Sequence, residues 1–194
     1  DNDGRHEFAP GDELNEITLK KGWSTRIDLD WDAFPETAED YDLQLYRRET
    51  GGSWTLVKSS TIAQDGATPP AETLWHKAAA AATFGVAVVR KQASKPKMKL
   101  RIYAFPAPGI QLEHWSRDSS LLVPAACKGI VAVGAASHTK FAAGGIADFS
   151  SRKPTVDGRI KPDVVAPTNI KTKSAGVATG TSAAAPHVSG ALAL

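Results

Sequence analysis

Residues 177–190 read VATGTSAAAPHVSG, so Ser182 follows Gly180-Thr181 and precedes an alanine-rich, apolar run. A serine at the start of a helix has two chemical assets. The first N–H groups of a helix lack intrahelical partners, and the positive end of its dipole favours negative charge, a developing oxyanion included. The small Gly180, Ala183 and Ala184 leave space there for a substrate carbonyl. Two readings are open. Ser182 is a nucleophile, or it is an N-cap serine of the kind that starts many helices.

A nucleophilic serine needs a general base and a group that orients the base. His187 lies five residues beyond Ser182 and is rotated to a different helix face, so it is read as a hydrogen-bonded structural histidine. The elbow G-x-S-x-G of α/β-hydrolases is disfavoured, because Ala184 stands where its second glycine belongs. The only cysteine, Cys127, excludes an internal disulfide and a cysteine-based zinc cluster.

The elements that must position Ser182 occupy the second half of the chain. After about residue 116 charges thin out, and Ala, Gly and Val dominate. Ile130-Val131-Ala132-Val133 reads as a buried strand of an α/β protein, and Asp163-Val164-Val165-Ala166-Pro167 as a second short one. Residues 183–194 read as a helix, apolar almost all round and therefore buried, with Pro186 early in it.

Residues 12–115 have a different grammar. Ile27, Leu29 and Trp31 alternate with Arg26, Asp28 and Asp30, the period of a strand with one buried face. Tyr41, Leu43 and Leu45 repeat the pattern, as do Met98, Leu100 and Ile102, while shorter candidates lie at 16–19, 54–58, 84–89 and 110–114. Gly51-Gly52 signals a hairpin, and 78–82 is helix-prone but short, so a helix and a loop turn are both open there. The expected architecture is an antiparallel sandwich whose core holds Ile27, Leu29, Trp31, Leu43, Leu45, Val86, Val88, Leu100 and Ile102. Trp23, Trp54 and Trp75 are expected in that core rather than in a sugar site.

The totals set outer limits. At 194 residues with 42% hydrophobic and 23% charged residues, the chain has enough apolar content for a real core. No apolar run approaches the roughly 18 residues that span a membrane, and no basic-then-apolar leader opens the sequence. The net charge of +2 hides an acidic first 45 residues and a basic stretch over 46–101. Lys97, Lys99 and Arg101 are read as the wet face of a strand, not as a nucleic-acid site.

Three ordered stretches carry a resemblance. Gly180-Thr181-Ser182-Ala183-Ala184-Ala185-Pro186-His187-Val188-Ser189-Gly190 resembles G-T-S-M-A-x-P-H-V-x-G, the serine motif of the subtilisin-like serine proteases, or subtilases. Phe149-Ser150-Ser151-Arg152, Pro154-Thr155 and Lys161-Pro162-Asp163-Val164-Val165-Ala166-Pro167 resemble the family's F-S-S-R-G-P-T and K-P-D-V-x-A-P segments. Val123-Pro124-Ala125-Ala126 with Ile130 through Ala135 resembles V-P-A-x followed by V-I-x-V-G-A. Ala183 replaces the usual Met and Lys153 the usual Gly.

The resemblance implies Ser182 as nucleophile, its backbone N–H as one oxyanion donor, a protein or peptide substrate, and an extracellular or secreted setting. It implies a catalytic Asp in a D-T/S-G setting and a catalytic His in an H-G-T setting upstream of the serine. Neither motif stands here, and His6, His76, His114 and His138 lack that context. The chain is therefore expected to be the C-terminal part of a protease domain, inactive without its upstream remainder. Asn2-Asp3-Gly4 fits the end of the oxyanion motif A-G-N-x-G, with Asp1 where Gly would be. A turn and a fragmentary calcium loop remain open for the same residues. With Asn2 as second oxyanion donor, residues 1–11 end the upstream catalytic segment, 12–115 form an inserted jelly-roll-like β-sandwich, and 116–194 carry the subtilisin-type α/β segment. No cofactor is evident; calcium is implied by the resemblance alone. The alternative function is a non-catalytic binding or structural module whose working part is the sandwich.

Overall fold

In STRIDLDW the side chains of Thr25, Ile27, Leu29 and Trp31 point inward and those of Ser24, Arg26, Asp28 and Asp30 outward, the two-residue period of a half-buried strand. The computed structural model, which describes residues 4–94, 97–105, 110–155, 157–174 and 176–194, makes this stretch β2 (Ser24–Trp31). With it stand β1 (Asn15–Leu19), β3 (Asp40–Arg48), β4 (Trp54–Ser60), β5 (Ala71–Lys77), β6 (Ala82–Gln92) and β7 (Leu100–Phe105). They form two antiparallel sheets, ordered β1-β6-β3-β4 and β5-β2-β7. Both sheets feed one core: Ile17 and Leu19 from β1, Ile27, Leu29 and Trp31 from β2, Leu43 and Leu45 from β3, Phe84, Val86 and Val88 from β6. Each such side chain contributes roughly 1.5–3 kcal/mol on leaving water, so this core is the main support of the unit spanning residues 1–115.

Several expectations change in detail. Strand β5 was hidden because its inward positions include Glu72 and His76 beside Leu74, which breaks the apolar alternation. Glu72 is buried and accepts hydrogen bonds from the Ser60 hydroxyl, the Ile62 N–H at 2.7 Å and the Gln64 amide at 3.3 Å. Residues 110–114 form no strand; the buried Asn15 side chain holds His114 there, donating to its carbonyl at 3.0 Å and accepting its N–H at 2.9 Å. Of the two readings open for 78–82, the loop turn holds at residues 78–81, with Ala78 buried. Leu100 and Ile102 are only partly buried against the core. Of the four tryptophans placed in the core, Trp31 alone is fully buried. Trp75 is 59% exposed, and Lys20, Arg48 and Arg26 lie over the rings of Trp23, Trp54 and Trp75 at 5.0, 5.3 and 5.7 Å. The indole's quadrupole attracts a cation on an outer sheet face, which is a stable alternative to burial.

The second unit, residues 116–194, is built differently. Strands β8 (Val133–Ser137) and β9 (Val164–Thr168) pair in parallel, β10 (Ile170–Thr172) and β11 (Gly176–Ala178) form a hairpin, and α1 (Thr181–Leu192) packs on β8 and β9. The expected strand at 130–133 starts only at Val133. Before it, Asp163 takes the Ala132 N–H on its carboxylate at 2.7 Å, and Ile130 and Val131 stay exposed. Nor is α1 buried all round: two strands cover one stripe, Ala183 and Ala184, and leave Leu192 exposed. The core joining helix to strands is Ala135, Ala166 and Ala184. The chain is thus mixed, mostly antiparallel β with one C-terminal helix.

Candidate active site

Gly180 sets the entry of α1. Its φ of 87° and ψ of 174° lie where side-chain-bearing residues rarely go, and this turn carries the chain from β11 into the helix. Gly180 is therefore the N-cap, no side chain caps the helix, and Ser182 is its second residue. The N-cap reading of Ser182 falls away. Its side chain is exposed, and the Ala183 N–H turns to the Gly180 carbonyl at 3.1 Å. Among the described residues the Ser182 N–H has no carbonyl partner, as the first turn of a helix dictates.

Thr168, buried at the end of β9, fixes this turn. Its hydroxyl donates to the Gly180 carbonyl at 3.1 Å, while its own carbonyl accepts the His138 N–H at 3.1 Å. One residue thereby ties the end of β8, the end of β9 and the serine turn together. Sequence reading missed it; a threonine closing an apolar run is a weak signal. Pro186 is the sixth residue of α1, beyond the first turn, so it cannot donate to the Ser182 carbonyl one turn back. His187 Nδ1 donates to the Ala183 carbonyl at 2.9 Å, a bond along its own helix. No hydrogen bond joins it to Ser182 among the described residues. Asn2 lies outside the described residues.

The other motif residues form the frame. Lys161 is buried, with its ammonium donating to the Ile130 carbonyl at 2.6 Å and to Asp163 at 2.5 Å. Ser150, also buried, accepts the Ala135 N–H at 3.1 Å, and a Cβ on Gly134 would stand 2.8 Å from Pro162 Cγ. The four acids of this unit are all committed to cations: Asp118 to Arg152 and Lys153, Asp148 to Arg117, Asp157 to Arg159, Asp163 to Lys161. The Lys153 ammonium lowers the Asp118 carboxyl, Arg159 takes that of Asp157 down to about 2, and Lys161 lowers that of Asp163. A calcium site needs several oxygens converging on one point. Among the described residues of this unit no three acidic or histidine side chains converge, so the implied calcium finds no fitting carboxylate set there.

What the arrangement offers is an exposed hydroxyl beside an unpaired N–H on a helix start, anchored through a buried threonine. Residues 113–194 match the Subtilase family model. The match relates this part of the chain to the subtilases, a family of serine proteases. It leaves residues 1–112 outside the match. No solved structure matches the chain.

Proposed function

We propose that the subtilase segment is the nucleophile-bearing part of a subtilisin-like serine endopeptidase. Ser182 Oγ bonds to the carbonyl carbon of a peptide, and its proton passes to a general base. The C–N bond then breaks, the amine leaves with that proton, and water hydrolyses the acyl-enzyme. The Ser182 N–H is one donor to the oxyanion, and Asn2 the second. The base and its orienting acid come from upstream polypeptide, in the H-G-T and D-T/S-G settings that this sequence lacks. That polypeptide also covers the apolar side chains the segment exposes, Ile130, Val131, Val177 and Leu192 among them. Residues 12–115 are then a jelly-roll-like insert, and the protease acts outside the cell. The observation that carries the reading is the exposed Ser182 hydroxyl at the start of α1, within a family match.

A second reading is favoured by one observation. The sandwich has a large core of its own, while Ser182 has no base among the described residues. On that reading the serine is inert and the sandwich is a binding module. A fluorophosphonate probe on the protease with its upstream sequence separates the two. Labelling that disappears in Ser182→Ala supports the enzyme, and absence of labelling in folded protein supports the module. The 194-residue chain alone is expected to show no turnover of a general protease substrate, since a serine hydroxyl without a base is a poor nucleophile. Turnover abolished by Ser182→Ala in that chain would place a base within these residues.

A further inference from the structure

Asp12, Glu113 and His114 bring a carboxylate, a second carboxylate and an imidazole together, with their ligand atoms all within 4.8 Å of one another. This is a mixed nitrogen–oxygen set rather than a cluster of acids. His114 Nε2 and Asp12 Oδ2 are already 2.7 Å apart. The three residues sit where the chain enters and leaves the sandwich, just before β1 and after β7, 102 positions apart at the widest.

Their backbones are held independently of one another. Asn15, only 2% exposed, grips both backbone groups of His114, and the Glu113 N–H donates to the Glu16 carbonyl at 2.8 Å. Asp12 is fixed by a bond from its N–H to the Ala9 carbonyl at 2.8 Å and by the Phe8 N–H on its own carbonyl at 2.7 Å. Phe8 also stacks on the imidazole, with ring centroids 6.1 Å apart. A metal therefore meets ligands whose backbones are in place and has only side-chain torsions to order. We propose that Asp12, Glu113 and His114 form a site for a divalent transition ion of the zinc type, which clasps the two ends of the sandwich.

The ligand chemistry selects the ion. An imidazole nitrogen with two carboxylates suits zinc, manganese or iron, whereas calcium takes six to eight oxygens. Three protein ligands leave a position for water, which an exposed site supplies. The site lies in the first unit and is independent of the chemistry proposed for Ser182.

The test uses the 194-residue chain freed of metal with a chelator and titrated with ZnCl2, and separately with CaCl2, by calorimetry. One zinc ion per chain is expected, with little response to calcium. His114→Ala should weaken zinc binding by more than the roughly tenfold that even an outer-sphere partner costs. Glu113→Gln, an isosteric change at an exposed position, should weaken it while leaving the circular dichroism spectrum of the chain unchanged. In 15N-labelled wild type, the His114 ring nitrogens should shift on zinc addition while the other four histidines stay put. Zinc affinity unchanged in both variants, equal affinity for calcium, or a ring shift at another histidine would each overturn the proposal.

Discussion

The two units solve the burial problem in opposite ways. The sandwich stacks leucine, isoleucine, valine, phenylalanine and tryptophan between two sheets, with Leu19, Ile27, Leu29, Trp31, Leu43, Leu45 and Val86 fully shielded. The second unit joins its helix to its strands through three alanines and ties its loops with ion pairs and buried polar bonds. Non-directional burial scales with apolar area, so the first unit draws support from bulk. The second draws it from geometry: close approach at Gly134, a buried lysine, a buried threonine. Precision at Ser182 comes with that choice, because small residues let the helix lie close on the strands.

The largest effect should come from the bulk-supported side. Trp31→Ala empties the centre of the sandwich and is expected to cost about 3–5 kcal/mol. Urea denaturation of the chain, followed by far-ultraviolet circular dichroism, measures it. A loss below about 1 kcal/mol, the scale of surface changes, would show that the sheets do not share that ring.

This contrast also explains what was legible in the sequence. Strands β2 and β3 announce themselves because one wet face and one dry face write a period of two, and β7 writes the same alternation although the fold leaves both its faces half-buried. Strand β5 does not, since its inward Glu72 is satisfied by hydrogen bonds from Ser60, Ile62 and Gln64 that only the fold assembles. The serine turn was legible as a motif, with Gly180 and Ser182 in a spacing that few other turns need. Thr168 was not, because its role depends on β9 ending beside Gly180. The exposure of Ile130 and Val131 was hidden too: an apolar run states a preference for burial, and pairing with β9 begins only at Val133.

Geometry-based support predicts sensitivity to a single methyl group. Gly134→Ala would push a Cβ to 2.8 Å from Pro162 Cγ and 3.2 Å from Ser150 Oγ, which is an overpacking expected to cost about 1–3 kcal/mol. Gly145→Ala, with nothing within 4 Å of its added Cβ, is the matched control and should be neutral. Hydrogen exchange in β8 and β9 reads the difference. Equal protection in the two variants would mean that this unit yields where the close approach requires it to be rigid.

Acid should separate the units further. In the second unit the carboxyls of Asp118, Asp157 and Asp163 are lowered by their cationic partners. A lowered carboxyl lends stability above its ordinary value near ~4 and loses it as pH falls through the folded value. In the sandwich, burial raises Glu72, Asp42 and Asp30, so their contribution is full at low pH and declines as pH rises through the raised values. Asp12, Glu49 and Asp65 run the other way, on its surface. From pH 7 down to about 3, across the carboxylate range, amide signals of Gly134 and Ala135 should lose native dispersion before those of Val86 and Val88. Simultaneous loss would erase the electrostatic half of the comparison.

The smallest effect should fall inside the sandwich, at a residue of the same type as the largest. Trp75 sits on β5 with its ring 59% exposed, held by Arg26 at 5.7 Å rather than by a core. An exposed cation–π contact is worth about 0.5–1 kcal/mol, and the area already in water contributes nothing further on folding. Trp75→Ala should therefore shift the urea midpoint by a fraction of what Trp31→Ala does and leave the blue-shifted emission of the buried indole unchanged. Outward positions on β2 and β5 are free to carry either sign of charge or an aromatic ring because the inward row supplies the burial. A loss as large as that of Trp31→Ala would mean that Trp75 is covered in solution, and that the outer face of the three-stranded sheet is supported by contacts of its own.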